Sequence, residues 1–362
     1  MLFGSADGWV YALRASDGKL VWRFRGAPQE RQAGAFNQLE SVWPVHGSVL
    51  VQRGVLYCVA GRSTYIDGGL VLYRLDPLTG KELSRTRVCE LDPNTDKQLA
   101  GEGRFDMQGA TTDILSGDGE LVFLKQLSFD ASGKRTTQTR PHLFAATGLL
   151  GEEWFVRSYW LLGTNVGTGW GGWANVARQV PAGRILCFTE DRVYGYGRVT
   201  VSSGATGHKA DAYHLFCRQR RAALPTSTEA KANSGGKAKR KARSRRAKAR
   251  RRPAPKLAPP VWADTKALTV RAMVLAANKL VIAGPPDLGR KQAKVLAFVN
   301  EGDALAAFTG QKGVLLQVRS AADGRKLSEQ PLSAMPVFDG MSAAGRRIFL
   351  SLQDGAVQCW GP

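Results

Sequence analysis

Two segments carry side chains suited to holding a ligand. In AGRSTYIDGG (60–69) an arginine, hydroxyls and an acid fall close together as Arg62, Ser63, Tyr65 and Asp67. A guanidinium offers a planar fork of donors to a carboxylate or a sugar-like group. The same residues would also make a local Arg–Asp pair that stiffens a long hairpin. In GTNVGTGWGGWANVARQ (163–179) the glycines allow close backbone approach, and Trp170 and Trp173 would form a stacking platform, with Asn175 in the same ligand-binding set. Alternatively, both tryptophans wedge between neighbouring structural units. The stretch GTNVGTG is not read as a phosphate loop, because no Lys-Ser/Thr follows it and its surroundings read as β.

Three further residues lie at the entrances to inner strands and are candidates to face a central channel: His46 in SVWPVHG, Asp113 in TTDILSG and Asp339 in VFDGMSA. Each would equally bond neighbouring backbone. Two carboxylates without a base or metal partner make no mechanism, so no catalytic residue is assigned. The five cysteines, Cys58, Cys89, Cys187, Cys217 and Cys359, include no CxxC and no adjacent pair. Four of them sit in apolar strand-like runs, which suits buried inert thiols. The four histidines are dispersed, and no metal site is expected.

The chain has 362 residues and a formal net charge of +21. Residues 218–256 contain 16 Lys+Arg and one acid, Glu229, and so carry most of that charge. This segment lacks apolar periodicity and would not bury enough surface to offset the entropy of ordering, so 218–258 is expected to be a disordered basic loop. It is either a solvated insertion or a tether for nucleic acid or another polyanion. The contacts of a tether would come from Lys237, Lys239, Arg240, Lys241, Arg243, Arg245, Arg246, Arg250, Arg251 and Arg252. No stretch is long and apolar enough for a transmembrane helix. No signal peptide is visible at MLFGSADGWVYAL.

The elements that position these residues are read from internal repetition. VYALRASDGKLVW (10–22), LYRLDPLTGKEL (72–83) and LLQVRSAADGRKL (315–327) each give a strand, a turn and a second strand, with Gly18, Gly80 and Gly324 at one shared position. Glycine adopts the positive φ of such a turn without a Cβ clash. GSADGWVYAL (4–13) and SLQDGAVQCW (351–360) supply the preceding hairpin. The unit is therefore four antiparallel strands, and packing such units radially buries both faces of each. The expected fold is an all-β propeller forming a single domain, with six recognisable units at 1–26, 43–92, 110–163, 184–268, 270–332 and 336–360. The basic segment falls between two strands of one unit, and Trp262 takes the position that Trp22 holds. The first unit lacks its first strand and the last lacks its fourth, which suggests part of an eight-bladed ring. A bare sheet edge invites aggregation, so a further segment, a partner or an oligomer is expected to cover it.

The motif G-S-x-D-G-x-V-Y-A-L-x-A-x-(D/T)-G-K-x-(L/V)-W, matched by residues 4–22, resembles the PQQ-like β-propeller repeat family, also described as quinoprotein-alcohol-dehydrogenase-like. FNQLESVWPVHGSVLVQRGVLYCVAGRSTYIDGG (36–69) resembles in particular long bacterial propellers of planctomycete type. For the dehydrogenases of this family the resemblance implies PQQ, calcium, a vicinal disulfide and a catalytic Asp; this chain has no adjacent cysteines. The repeat also resembles BamB-like propellers, which are scaffolds without a cofactor. The expectation is a non-catalytic binding or scaffolding module, extracytoplasmic by resemblance, that holds a protein, small-molecule or glycan ligand on a propeller face. The alternatives are a quinoprotein-like oxidoreductase and polyanion tethering through the basic loop.

Overall fold

A computed structural model describes residues 1–35, 38–46, 49–95, 97, 114–145, 160–164, 176, 179–199, 213–220, 257–265, 268–288 and 300–361. These residues form successive antiparallel sheets, in each of which neighbouring strands follow chain order. Sheet one contains β1 (Leu2–Gly4), β2 (Trp9–Leu13) and β3 (Leu20–Arg25). A separate hairpin, β4 (Gln32–Ala35) with β5 (Gln38–Ser41), follows. Sheet two contains β6 (Leu50–Gln52), β7 (Val55–Ala60), β8 (Leu70–Leu75) and β9 (Glu82–Val88). Sheet three contains β10 (Ser116–Gly117), β11 (Val122–Leu124), β12 (Leu127–Phe129) and β13 (Arg135–Thr136), and sheet four β14 (His142–Ala145), β15 (Trp160–Gly163) and β16 (Ala182–Gly183). Sheet five contains β17 (Ile185–Phe188), β18 (Arg192–Arg198), β19 (Tyr213–Gln219) and β20 (Trp262–Asp264). Sheet six contains β21 (Ala272–Ala276), β22 (Lys279–Gly284), β23 (Leu315–Ser320) and β24 (Lys326–Pro331). Sheet seven contains β25 (Pro336–Ala344), β26 (Arg347–Leu352) and β27 (Val357–Trp360).

The apolar cores lie between consecutive sheets rather than at one centre. Val10 of sheet one meets Leu56, Tyr73 and Leu75 of sheet two. The other face of sheet two, with Tyr57, Val59, Leu70 and Leu72, meets Val122, Leu124 and Phe129 of sheet three. Sheets four and five, five and six, and six and seven are joined in the same way. A strand covered on both faces loses its alternation, and β7 and β8 are accordingly buried almost throughout. The first strands of successive sheets also pack on one another, β6 with β10, β10 with β14, β17 with β21 and β21 with β25. Sheets radiating from a line of inner strands are the blades of a β-propeller.

Two of these interfaces share one device. Gly80 (φ +71°) ends the β8–β9 turn, and a Cβ there would lie 2.6 Å from the Trp22 indole. Trp22 Nε1 donates to the Pro77 carbonyl at 3.2 Å. Gly324 (φ +76°) stands in the same relation to Trp262, whose Nε1 donates to the Ala321 carbonyl at 3.1 Å. The outer strand of one sheet thus seats a tryptophan on the glycine turn of the next. Across their own sheets the two indoles face small side chains, Ala12 opposite Trp22 and Cys217 opposite Trp262.

The strand assignments of five of the six expected units hold. The unit placed at 110–163 is instead divided between sheets three and four. ELVFLKQLSF is not one strand but the tight hairpin β11–β12, turned at Lys125 with φ +50°. A long apolar run does not reveal such a turn when no glycine marks it. The β4–β5 hairpin and the helix α1 (Glu301–Phe308), capped by the Asn300 side chain on the Asp303 N–H at 3.0 Å, are additions to the repeat pattern. β19 and β20 pair directly, so the chain leaves and re-enters one sheet around the basic segment. Residues 221–256 lie outside the described residues.

Candidate functional site

The loop between β7 and β8 is built on four positive-φ residues, Gly61, Asp67, Gly68 and Gly69. Asp67 is the exception among them, since non-glycine residues enter this region at a cost that surrounding contacts must offset. Trp43, itself buried, donates Nε1 to the Asp67 carbonyl at 2.8 Å, and Arg31 Nη1 lies 3.5 Å from its carboxylate. Arg62 turns the other way. Its Nη2 pairs with the buried Glu40 carboxylate at 3.0 Å, while its own Nε is buried without a hydrogen-bond partner. Arg62 and Asp67 therefore do not form the local pair that their spacing allows. Each is bound to the segment containing β4 and β5, which ties that hairpin to the loop. Tyr65 sits between them, its N–H on Ser63 Oγ at 3.2 Å.

Beside this loop is a pocket of about 270 Å³ lined by Trp43, Asp67, Gly68, Tyr73, Arg85 and Arg87, with Pro28 and Gln29 at its edge. Strand register explains the grouping: Arg85 is paired with Tyr73 and Arg87 with Val71, so these four share one face of sheet two. Arg87 Nε donates to the Gly68 carbonyl at 2.5 Å, and Arg85 Nε pairs with Glu82 at 2.7 Å. Two guanidinium groups beside two aromatic rings suit a planar or carboxylate-bearing ligand. The volume lies just below the usual range for small-molecule sites of about 300–1,000 Å³, so the pocket fits a side chain or a single sugar ring. The residues that complete it were legible only as an R-x-R pattern at strand period in ELSRTRV.

The other candidates are dispersed. His46 is half-buried, and burial lowers its pKa, opposed by the Glu40 charge. Asp339 lies in a bulge of β25 with φ +54°, its N–H on the Arg271 carbonyl at 2.8 Å. Its side chain stays partly open to solvent, yet the protein packed around it pushes the carboxyl up to about 6. Burial raises Cys187 to about 12, with the Asp339 charge adding to the shift, and burial raises Cys58 to about 12; these thiols are inert. Cys359, expected to be buried, is exposed because it lies on β27, the outer strand of a three-stranded sheet. Asp113, Trp170, Trp173, Asn175 and the basic residues from Lys237 to Arg252 lie outside the described residues. Among the described residues no three of His, Cys, Asp and Glu gather into a group that could hold a metal ion. Among the described residues no helix is long and apolar enough to cross a membrane.

The fold is that of a β-propeller, and the pocket beside the β7–β8 loop is a recess lined by arginines and aromatic rings. No family model matches the sequence, and no curated protein matches it. Among solved structures the chain is similar to BamB from Moraxella catarrhalis, at 12% identity over 99% of this chain and 81% of that one, with a TM-score of 0.44. It is also similar to the Dos1 propeller, at 11% identity over 99% and 75% with a TM-score of 0.47. A third is a europium-containing methanol dehydrogenase, at 11% identity over 99% and 70% with a TM-score of 0.44.

Proposed function

We propose that this propeller is a non-catalytic binding or scaffolding module, acting outside the cytoplasm, and that its rim pocket takes a carboxylate-bearing group. That group would belong to an acidic protein segment or to a small sugar acid. The observation that carries this reading is the shared face of Tyr73, Arg85 and Arg87 beside Trp43 and the Gly68 carbonyl. Trp43, Asp67 and Arg87 are engaged in holding the loop in place, which makes a preformed recess.

The test is calorimetric titration with glucuronate and with an acidic hexapeptide, each set against a neutral analogue. Binding of one acid ligand that weakens about tenfold in Arg85→Ala, with a shallower salt dependence, supports the reading. Arg85 is chosen because its ion pair is local, so its removal leaves the loop ties intact. Equal binding of acid and neutral ligands, or no binding of either acid up to about 10 mM, overturns it.

A further inference from the structure

The first strand of sheet seven is interrupted at one place. In β25, Pro336 pairs with Leu352 and Met341 with Leu350, so the residues from Val337 to Gly340 stand opposite Ser351 alone. A bulge of this kind re-aims a side chain, and here it holds Asp339 at φ +54°, a region that costs a non-glycine residue energy. The Asp339 N–H donates to the Arg271 carbonyl at 2.8 Å, which fixes the bulge to sheet six.

The bulge lies near the propeller axis. Phe338 packs on the core shared by sheets five and six, and the guanidinium of Arg184, the residue before β17, lies 4.9 Å from its ring centre. Blades spread apart away from the axis, so sheets five and seven meet past sheet six only close to it. The Asp339 charge likewise reaches Cys187 on β17. Among the described residues no hydrogen bond or ion pair holds the Asp339 carboxylate. Buried Arg271 turns its Nε to the Pro336 carbonyl at 3.1 Å, and buried Arg184 covers the Phe338 ring. The Asp339 side chain is open to solvent, yet the protein around it raises its carboxyl to about 6. That combination is the situation of a group lining a channel.

We propose that Asp339 anchors a ligand site on the propeller axis for a molecule carrying a primary ammonium group. The strained bulge presents one carboxylate, and the guanidinium groups beside it are turned to other partners, so the missing member is a single positive charge. A metal ion asks for several ligands, and no three of His, Cys, Asp and Glu gather among the described residues. A free amine and a lysine side chain present the same group. Sheets five to seven build this site, not the pocket on sheet two, so neither reading depends on the other. Around the carboxyl, β17, β21 and the residues leading into them bring Arg184, Cys187 and Arg271, and β26 carries Arg347 at its far end. Cys187 keeps its proton up to about 12 and guanidinium groups stay charged, so of these groups only Asp339 titrates between about pH 4 and 8.

The probes are n-butylamine and the peptide acetyl-Gly-Lys-Gly-amide, with n-butanol as the neutral control, titrated into the full chain and followed by NMR. Saturable binding of an amine is expected, with shifts at the Phe338, Asp339 and Gly340 amides. The tighter probe tells a small amine from a protein lysine. A carboxyl titrating near 6 is about one-tenth ionised at pH 5 and about nine-tenths at pH 7, so binding should tighten about tenfold over that range. Asp339→Asn should abolish binding, and asparagine tolerates the left-handed region, so the bulge is kept. In the unsubstituted protein the amine should lower the titration midpoint of the Asp339 carboxyl carbon, a readout that needs no variant. The proposal is overturned if neither amine saturates by about 20 mM, if n-butanol binds as well, or if Asp339→Asn leaves binding unchanged. Binding that tightens as pH falls also overturns it, since a protonated carboxyl would then be donating to a neutral ligand. So does an Asp339 that titrates below about 4 without ligand, because a cation of the chain itself would already hold it.

Discussion

Sheets two and one present the same surface in two states. On sheet two the glycine turn, Tyr73 and Leu75 are covered by Trp22, Val10 and Phe24 of the neighbouring sheet. On sheet one nothing among the described residues lies within 4 Å of a Cβ at Gly18, and Tyr11 is only partly buried. The two turns share their Gly-Lys pair and their geometry, with φ +69° at Gly18 and +71° at Gly80, although the other turn residues differ. Backbone sterics and the Asp/Thr-Gly pair make the turn; the indole then uses it. The difference teaches that the seat is a docking device laid on a stable hairpin.

The largest test of this comparison removes the occupants. Trp262→Ala and Trp22→Ala should each lower unfolding free energy in urea by about 3–5 kcal/mol, the usual cost of a large aromatic deletion at an interface. A loss below about 1 kcal/mol would mean that the indoles cover the turns without holding the sheets together. Filling the seats instead of emptying them comes next. Gly80→Asn forces a Cβ against the Trp22 ring and should cost about 1–3 kcal/mol, while Gly18→Asn should stay within about 0.5 kcal/mol. Equal effects at the two glycines would break the comparison.

A third test uses an interface at which the described residues include no seated tryptophan. Between sheets four and five, Phe216 is part of the core and the His214 ring lies tilted against it, 4.9 Å between centroids. Burial, and then the Arg218 charge, lower His214 to about 4. The unfolded imidazole near 6.5 binds its proton first, so the fold is fully favoured above that pH. Stability then falls as pH drops from about 6.5 toward 4, by about 3 kcal/mol. Asp339 works in the opposite sense. Its carboxyl, raised to about 6, keeps in the fold a proton that the unfolded chain loses near 3.8. Its contribution is present at low pH and lost as pH rises through 6. His214→Phe should flatten the fall in urea midpoint between pH 6.5 and 4, and Asp339→Asn should steepen it. The seated tryptophans add no slope in this window, so Trp22→Ala should shift the whole profile without tilting it.

How much of this was legible in the sequence follows from where the information lies. Strands β1–β3, β6–β9 and β17–β27 were readable, because their apolar runs and the turn residues between most of them are local signals. Sheets three and four were merged because the β11–β12 turn uses Lys125 and Gln126 inside an apolar run and carries no turn residue. Arg62, Tyr65 and Asp67 were correctly grouped in one loop, but their partners were not. Glu40 and Arg31 come from a hairpin outside the repeat, and distant pairing leaves no trace in spacing. The pocket arginines, Arg85 and Arg87, were overlooked for a related reason: their shared face with Tyr73 depends on strand register, which the sequence does not print.

The smallest expected effect is also the one that explains the seat most directly. Between sheets two and three the glycine turn is present, but the tryptophan is not. Ser84 occupies the position of Trp22, and opposite it stands Arg74 where sheet one has Ala12. A Cβ at Gly133 would lie 2.8 Å from the Arg74 stem, and Arg74 Nη1 donates to the Ser132 carbonyl at 3.3 Å. One side chain thus repeats both contacts of the indole, covering the glycine and supplying the donor. Arg74→Met keeps the stem over Gly133 and loses the donors, so it should cost only about 0.5–1.5 kcal/mol. Arg74→Ala with Ser84→Trp rebuilds the Ala12–Trp22 arrangement on sheet two. If the seat is a device independent of its occupant, that pair should recover the stability lost by Arg74→Ala alone. If the double variant is less stable than the single one, the indole needs more of its own interface than a glycine, a carbonyl and a small residue opposite.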